Sequence, residues 1–97
     1  MYSSRLKNER TDALVKALLS LESEDECYCF LEDLLTVREL RDLSQRLEVA
    51  FMLNDKATYN EIVEKTGVST ATIGRVNRAL LYGAGGYEAI IAKERGK

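Results

Sequence analysis

The chain has 97 residues, a formal net charge of −2 and 31% charged side chains, and it contains no proline, tryptophan or histidine. This length favours one domain, residues 1–97, and the composition is typical of a soluble all-α protein. The longest apolar stretches are too short to span a bilayer, and the N-terminal segment MYSSRLKNER lacks the apolar core of a signal sequence. We therefore expect a cytoplasmic protein with no membrane partner.

Three helices are predicted in the N-terminal half, over residues 4–21, 25–35 and 37–53. Apolar residues recur at helical spacing in each of them, and in the first helix they form a stripe that begins at Leu6 and ends at Leu21. The third helix is preceded by a capping box, in which Thr36 accepts from the Glu39 backbone N–H and the Glu39 carboxylate reaches back. Its predicted apolar face consists of Leu40, Leu43, Leu47, Ala50 and Phe51, and is widened by Val49 and Met52.

The helices at 4–21 and 37–53 carry more apolar surface than the short helices beside them can cover. A second copy of the chain is the simplest cover, because small helical chains often complete their cores by association. Residues 1–53 are therefore predicted to form the dimerisation core of a homodimer. A two-fold axis would also place two DNA-reading helices about 34 Å apart, which is one turn of DNA.

Residues 58–82 have the pattern of a helix-turn-helix. The turn is Thr66-Gly67-Val68-Ser69, where Gly67 can adopt the left-handed backbone that ends a helix. A second capping box, Thr58 with Glu61, opens the first helix, and Ser69 can cap the second. After the break at Gly83-Ala84-Gly85-Gly86, residues 87–95 form a short closing helix. The apolar residues predicted to meet between the two reading helices are Ile62, Val63, Val68, Ile73 and Val76.

The start of the second reading helix carries the residue types that suit a DNA major groove. Threonine hydroxyls can bond to several bases, methyl groups can contact the thymine methyl, and a glycine allows close approach. Thr58 has a competing role as a helix cap, and the apolar spacing alone would also fit two packed core helices. The predicted DNA-binding residues are Thr58, Tyr59, Asn60, Lys65, Ser69, Thr70, Ala71, Thr72, Gly74, Arg75 and Arg78.

The charge of the chain is distributed unevenly. Residues 1–53 hold 7 basic and 11 acidic residues, whereas residues 54–81 hold 4 basic and 3 acidic residues. From Thr66 to Tyr87 no acidic residue occurs. Phosphate binding depends on such a local patch and not on the charge of the whole chain. Because the patch is small, non-specific DNA affinity should be weak and should fall steeply with salt.

Neither metal chemistry nor catalysis is predicted. The two cysteines, Cys27 and Cys29, are too few for a zinc site in a chain without histidine. They lie about 200° apart on a helix, which disfavours a local disulfide, so two small buried side chains in a reducing compartment are the simpler interpretation. No nucleotide-binding glycine loop or catalytic set is present. We expect a non-enzymatic protein with no cofactor and no bound metal.

The order of these elements resembles the Trp repressor superfamily, and in particular its YerC/YecD-type branch in bacteria. The resemblance covers nearly the whole chain. It rests on residues 35–39 (LTVRE), Gln45-Arg46 and residues 67–75 (GVSTATIGR). It implies an all-α, six-helix Trp-repressor-like fold, assembled as an intertwined homodimer that binds double-stranded DNA.

In the Trp repressor, tryptophan binds between the dimerisation core and the helix-turn-helix. We call the helix-turn-helix of this chain, residues 58–82, the reading head. By resemblance, Thr36, Arg46 and Arg75 match ligand-contacting residues, whereas Val76 replaces a glycine and Ala79 replaces a hydroxyl residue. Overpacking by a valine costs on the order of 1–3 kcal/mol, so we expect Val76 to overfill an indole site. Arg46 can alternatively pair with Glu48 or Asp42, and Arg75 can bind phosphate.

Three functions follow from these features. The first is a dimeric, sequence-specific transcriptional regulator, acting as a repressor or an activator, that does not depend on tryptophan. The second is a repressor that depends on a different small-molecule corepressor, for which Thr36, Arg46 and Arg75 argue. The third is a protein-interaction dimer with a degenerate helix-turn-helix, for which the weak net charge argues.

Overall fold

A computed structural model of the protein describes residues 2–96. Over these residues the chain is all-α, as predicted, with six helices and no strand. None of the helices combines the length and the apolar character needed to cross a bilayer. The helices are α1 (Glu9–Leu19), α2 (Glu24–Leu34), α3 (Val37–Asn54), α4 (Tyr59–Thr66), α5 (Thr70–Tyr82) and α6 (Gly86–Arg95).

The chain divides into two compact units, Met1–Val37 and Arg38–Lys97. The boundary falls after Val37, the first residue of α3. The first unit contains α1 and α2, and the second contains α3 from Arg38 onward together with α4, α5 and α6. The single domain predicted from sequence, with residues 1–53 as its dimerisation core, stays a prediction.

In the first unit, α1 begins five residues later than predicted, at Glu9 instead of residue 4. Asn8 has an extended backbone, and its side-chain oxygen accepts from the Thr11 backbone N–H at 2.9 Å. This cap stops the helix from extending further toward the N-terminus. Leu6, which was predicted on the apolar stripe, therefore lies outside the helix and is exposed.

α2 begins one residue before the predicted start, and Ser23 caps it by accepting from the Glu26 backbone N–H at 3.1 Å. Neither α1 nor α2 contains a buried residue. Phe30 and Leu31 of α2 are partly buried, whereas the other large apolar side chains of these two helices are exposed: Leu14, Val15, Leu18, Leu19, Tyr28 and Leu34.

In the second unit, α3 packs against the helix-turn-helix and the closing helix around one hydrophobic core. Three of the residues predicted to meet between α4 and α5, namely Ile62, Ile73 and Val76, are buried there, and Val63 and Val68 pack against them. The other buried members are Val49, Ala50 and Ile91. Leu43 and Leu47, which were predicted on the apolar face of α3, remain partly exposed.

Glycines precede the closing helix, α6, and side-chain contacts with α3 lie at its other end. Gly83 ends α5 so tightly that an added Cβ would lie 2.3 Å from the Ala79 carbonyl oxygen, and Gly85 adopts a left-handed backbone just before α6. At the other end, Arg95 pairs with Asp55, which follows α3, and stacks over the Phe51 ring at 5.1 Å. These exposed contacts link the end of α6 to the C-terminal end of α3, and the buried Ile91 packs the same helix into the core.

Candidate nucleic-acid interface

The first helix of the reading head is fixed by the predicted capping box. The Thr58 backbone N–H donates to the Glu61 carboxylate at 2.7 Å, and the Glu61 N–H donates to the Thr58 hydroxyl at 3.1 Å. The hydrogen bond from the Thr58 backbone, followed by the one from its side chain, lowers the pKa of Glu61 below its ordinary value. Thr58 therefore acts as a cap, while Tyr59 and Asn60 beside it are exposed.

The turn between α4 and α5 has the predicted geometry. Gly67 is left-handed, with φ of 76°, and its N–H donates to the Val63 carbonyl at 2.8 Å. Ser69 caps α5 by accepting from the Thr72 backbone N–H at 3.1 Å. Its hydroxyl also donates to the Thr72 hydroxyl oxygen at 3.1 Å, so these two predicted DNA-binding side chains bond to each other.

The remaining residues of α5 differ in how far they are exposed. Thr70 and Ala71 are exposed at its first turn, and Arg75 and Arg78 are exposed further along. Gly74 is half-buried, yet a Cβ added there would meet no atom within 4 Å. A glycine within a helix costs about 1 kcal/mol relative to alanine. No packing within the described chain explains this residue.

The predicted phosphate contact Lys65 has a partner within the chain. Its ammonium group lies 3.8 Å from the Glu48 carboxylate, and both side chains are substantially exposed. An exposed pair of this kind contributes little, because solvent screens it. Lys65 can therefore exchange Glu48 for a phosphate at small cost.

A cleft of about 280 Å³ lies between α3 and the start of α5. Arg46 and Arg75, which were predicted as pocket residues, both line it. Thr36 belongs to the first unit, and its role in a pocket stays a prediction. The Arg46 Nε donates to the backbone carbonyl of Asp42 at 3.4 Å, so the predicted pairing with the Asp42 carboxylate is replaced by a backbone contact. The full lining is Asp42, Gln45, Arg46, Val68, Thr72 and Arg75.

Val76 does not line this cleft. Its side chain is only 2% exposed and packs in the core with Ile62 and Ile73. Its predicted packing between the reading helices is confirmed, whereas the expectation that it overfills an indole site stays a prediction. Ala79 lies at a separate, largely apolar hollow beside Tyr87 and Ile90.

Two residues at this cleft were not predicted there: Asp42 was considered only as a partner of Arg46, and Gln45 only as part of the family resemblance. Asp42 and Gln45 come from α3, and both line the cleft with Arg75. Gln45 also donates to the Thr66 carbonyl at 3.4 Å. Asp42 lies one helical turn before Arg46, and Gln45 lies one turn before Val49, so both are near the reading head. No local pattern in the sequence indicates which residues of α3 face the reading head.

Comparison with known proteins agrees with this geometry. Residues 9–95 match the family model described as Trp repressor protein. The uncharacterized protein YerC of Bacillus subtilis (strain 168) is 48% identical over 88 residues, which cover 91% of this chain and 85% of the relative. The predicted resemblance is thereby confirmed.

Two solved structures have the same fold. A TrpR-like protein from Eubacterium eligens ATCC 27750 superposes with a TM-score of 0.88 at 50% identity, covering 95% of this chain and 94% of that one. A protein from Staphylococcus aureus also gives a TM-score of 0.88, at 44% identity over 94% of this chain and 91% of that one. With its six helices, its helix-turn-helix and these matches, the chain belongs to the Trp repressor family and has the fold of a DNA-binding regulator.

Proposed function

We propose that the protein is a sequence-specific transcriptional regulator that reads double-stranded DNA as a homodimer and does not require tryptophan. One observation carries the proposal. The first turn of α5 presents Thr70 and Ala71 to solvent, on a helix without acidic residues that is anchored through buried Ile73 and Val76. A rigid, exposed helix N-terminus of this kind fits a major groove.

Phosphate contacts would come from around this helix. Arg75 and Arg78 are exposed on α5, and Asn60 lies at the exposed start of α4. Contacts of this kind fix the register of a protein on DNA, whereas base edges determine sequence preference.

Selection from random duplex DNA with purified protein and no added ligand tests the proposal. We expect an enriched motif with two related half-sites whose centres lie about one helical turn apart. A selection that enriches no motif would instead favour the protein-interaction dimer with a degenerate helix-turn-helix.

Dimerisation is supported by the apolar surface that the chain leaves exposed. α1 and α2 bury no residue, and Leu43 and Leu47 of α3 are partly exposed. A soluble monomer rarely leaves so many large apolar side chains exposed. One chain has a mass of 10.9 kDa, and we expect sedimentation equilibrium at low micromolar concentration to give twice that mass. A folded monomer at that concentration would rule out both the dimer and the paired half-sites.

A regulator that depends on a different small molecule is the second candidate, and the open cleft favours it. Arg46 and Arg75 line the cleft together, and neither takes part in an ion pair among residues 2–96. Two such guanidinium groups suit a carboxylate or phosphate group. Thermal stabilisation by one member of a metabolite panel, abolished by Arg46→Gln, would support this candidate over ligand-free reading.

Replacement of Arg78 by alanine should weaken binding to every duplex by a similar factor. Arg78 is exposed on α5 and forms none of the ion pairs of the described chain. Loss of one phosphate contact should lower the slope of log affinity against log salt by about one unit. Fluorescence anisotropy with specific and random duplexes over a salt series measures both effects.

Two further variants serve as controls for Arg78. Lys93→Ala removes an exposed charge from α6 and should leave the salt slope unchanged. Thr70→Ala should change base preference at one position of each half-site without altering the slope. Equal loss on all duplexes from Thr70→Ala and Arg78→Ala would contradict the roles proposed for them.

A further inference from the structure

A side-chain hydrogen bond joins α3 to the turn of the reading head. The Gln45 Nε2 donates to the Thr66 carbonyl oxygen at 3.4 Å, in a partly buried position. Gln45 lies in α3, and Thr66 is the last residue of α4. The bond therefore connects two elements 21 residues apart in the chain.

The Thr66 carbonyl is an acceptor that its own helix does not satisfy. The last carbonyl groups of an α-helix have no intrahelical donor, and they carry the negative end of the helix dipole. The nearby donors of the turn are directed elsewhere. The Gly67 N–H goes to the Val63 carbonyl, and the Val68 N–H goes to the Thr66 hydroxyl at 3.2 Å. An amide donor from α3 fills this gap.

The position of Gln45 complements the core beneath it. Gln45 lies one helical turn before Val49, on the same side of α3, and Val49 packs with Ile62 and Ile73 in the core. Apolar burial is non-directional, so it holds the head against α3 without defining its tilt sharply. A hydrogen bond to the turn adds that directional constraint, because Ser69, the cap of α5, follows Thr66 by only three residues.

We propose that Gln45 is a positioning residue that holds the turn, and through it the first turn of α5, in the orientation that reads DNA. This inference rests on the proposed function, since orientation of α5 matters for base readout. Gln45 also lines the cleft with Thr72 and Arg75, two residues of the helix whose orientation it holds. Without the bond, α4 and α5 keep their caps and core, but the head samples a wider range of tilts.

Gln45→Met tests this role, because methionine has a similar length and apolar stem but no amide donor. In the free protein, we expect faster amide hydrogen exchange at Gly67 and Val68. In DNA binding, we expect specific affinity to fall about fivefold, as for the loss of one hydrogen bond. Affinity for random duplex should not change, so the ratio of specific to non-specific affinity should fall. Simple destabilisation would lower both affinities together.

Ser44→Ala is the matched control. Ser44 is adjacent on α3, but its hydroxyl donates to the Leu40 carbonyl of its own helix at 2.8 Å. This variant should change neither amide exchange in the turn nor the specificity ratio. Circular dichroism checks that both variants remain folded.

The possible results separate the hypotheses. Weaker specific binding by Gln45→Met with unchanged exchange in the free protein would mean that Gln45 contacts DNA directly, and the positioning role would be wrong. Faster exchange with an unchanged specificity ratio would also overturn it. If the wild-type protein selects no DNA motif, the proposed function fails, while faster exchange in Gln45→Met still supports the restraint on the turn.

Discussion

L-Tryptophan at millimolar concentration is expected to leave the affinity of this protein for its selected DNA site unchanged. The reading head already has a filled core without ligand, because Val76 is only 2% exposed and packs with Ile62 and Ile73. The open cleft beside Arg46 and Arg75 is lined mainly by polar and charged side chains, which suit an indole ring poorly. Calorimetric titration should show no heat beyond dilution, and anisotropy should show the same dissociation constant. Saturable tryptophan binding, or a gain in DNA affinity of about tenfold, would refute this expectation.

Val76→Gly is the converse test. Removal of the buried side chain should cost about 2 kcal/mol of unfolding free energy through lost packing, and the glycine should cost roughly 1 kcal/mol more through helix propensity. Ligand-free DNA binding should weaken in parallel, because α5 is less firmly held on α4. Chemical denaturation and anisotropy measure these effects. Val76→Ala is the control, since it removes most of the packing but keeps a strong helix former. The difference between the two variants gives the combined contribution of the last methyl group and of the glycine backbone.

Gly74→Ala is expected to change stability and DNA binding in opposite directions. An added Cβ meets no atom within 4 Å in the chain, so alanine should stabilise α5 by about 0.5–1 kcal/mol. If α5 lies in a major groove, the same methyl group should crowd the DNA. Overpacking at a close contact costs about 1–3 kcal/mol, so specific affinity should fall by about fivefold or more.

Few mechanisms other than a close approach of Gly74 to DNA would combine higher stability with weaker DNA binding. The midpoint of urea unfolding should rise while the anisotropy titration shifts to weaker binding. Gly96→Ala provides no suitable control, because a Cβ there would lie 2.9 Å from the Ala92 carbonyl. Ala79→Ser is better matched, since Ala79 is an exposed α5 position and its replacement should leave DNA affinity nearly unchanged. Equal or tighter DNA binding by Gly74→Ala would show that Gly74 does not face DNA.

Local signals in the sequence determined most of the reading head. The caps at Thr58 and Ser69 and the left-handed Gly67 lie where predicted, because each depends on contacts within about four residues. The same kind of signal was present at Asn8, with Glu9 and Asp12 in the first turn of the helix. The apolar spacing that continues to Leu6 outweighed it, so the predicted start of α1 was wrong.

Only the tertiary structure decided which residues of α3 face the reading head. The sequence placed Val49 at the margin of the apolar face, whereas the structure buries Val49 and leaves Leu43 and Leu47 partly exposed. Helical periodicity identifies a broad apolar stripe, but the crossing angle of the neighbouring helices selects the part of the stripe that is covered.

The same holds for polar contacts between distant segments. The meeting of Arg46 with Arg75 at one cleft was suggested by family resemblance alone, and the bond from Gln45 to Thr66 was not foreseen. The pairing of Arg95 with Asp55 joins residues 40 positions apart. Such contacts depend on how helices pack and not on the residues next to them in sequence. Local chemistry thus defines where each helix of this protein begins and ends, whereas packing decides which side chains form its site.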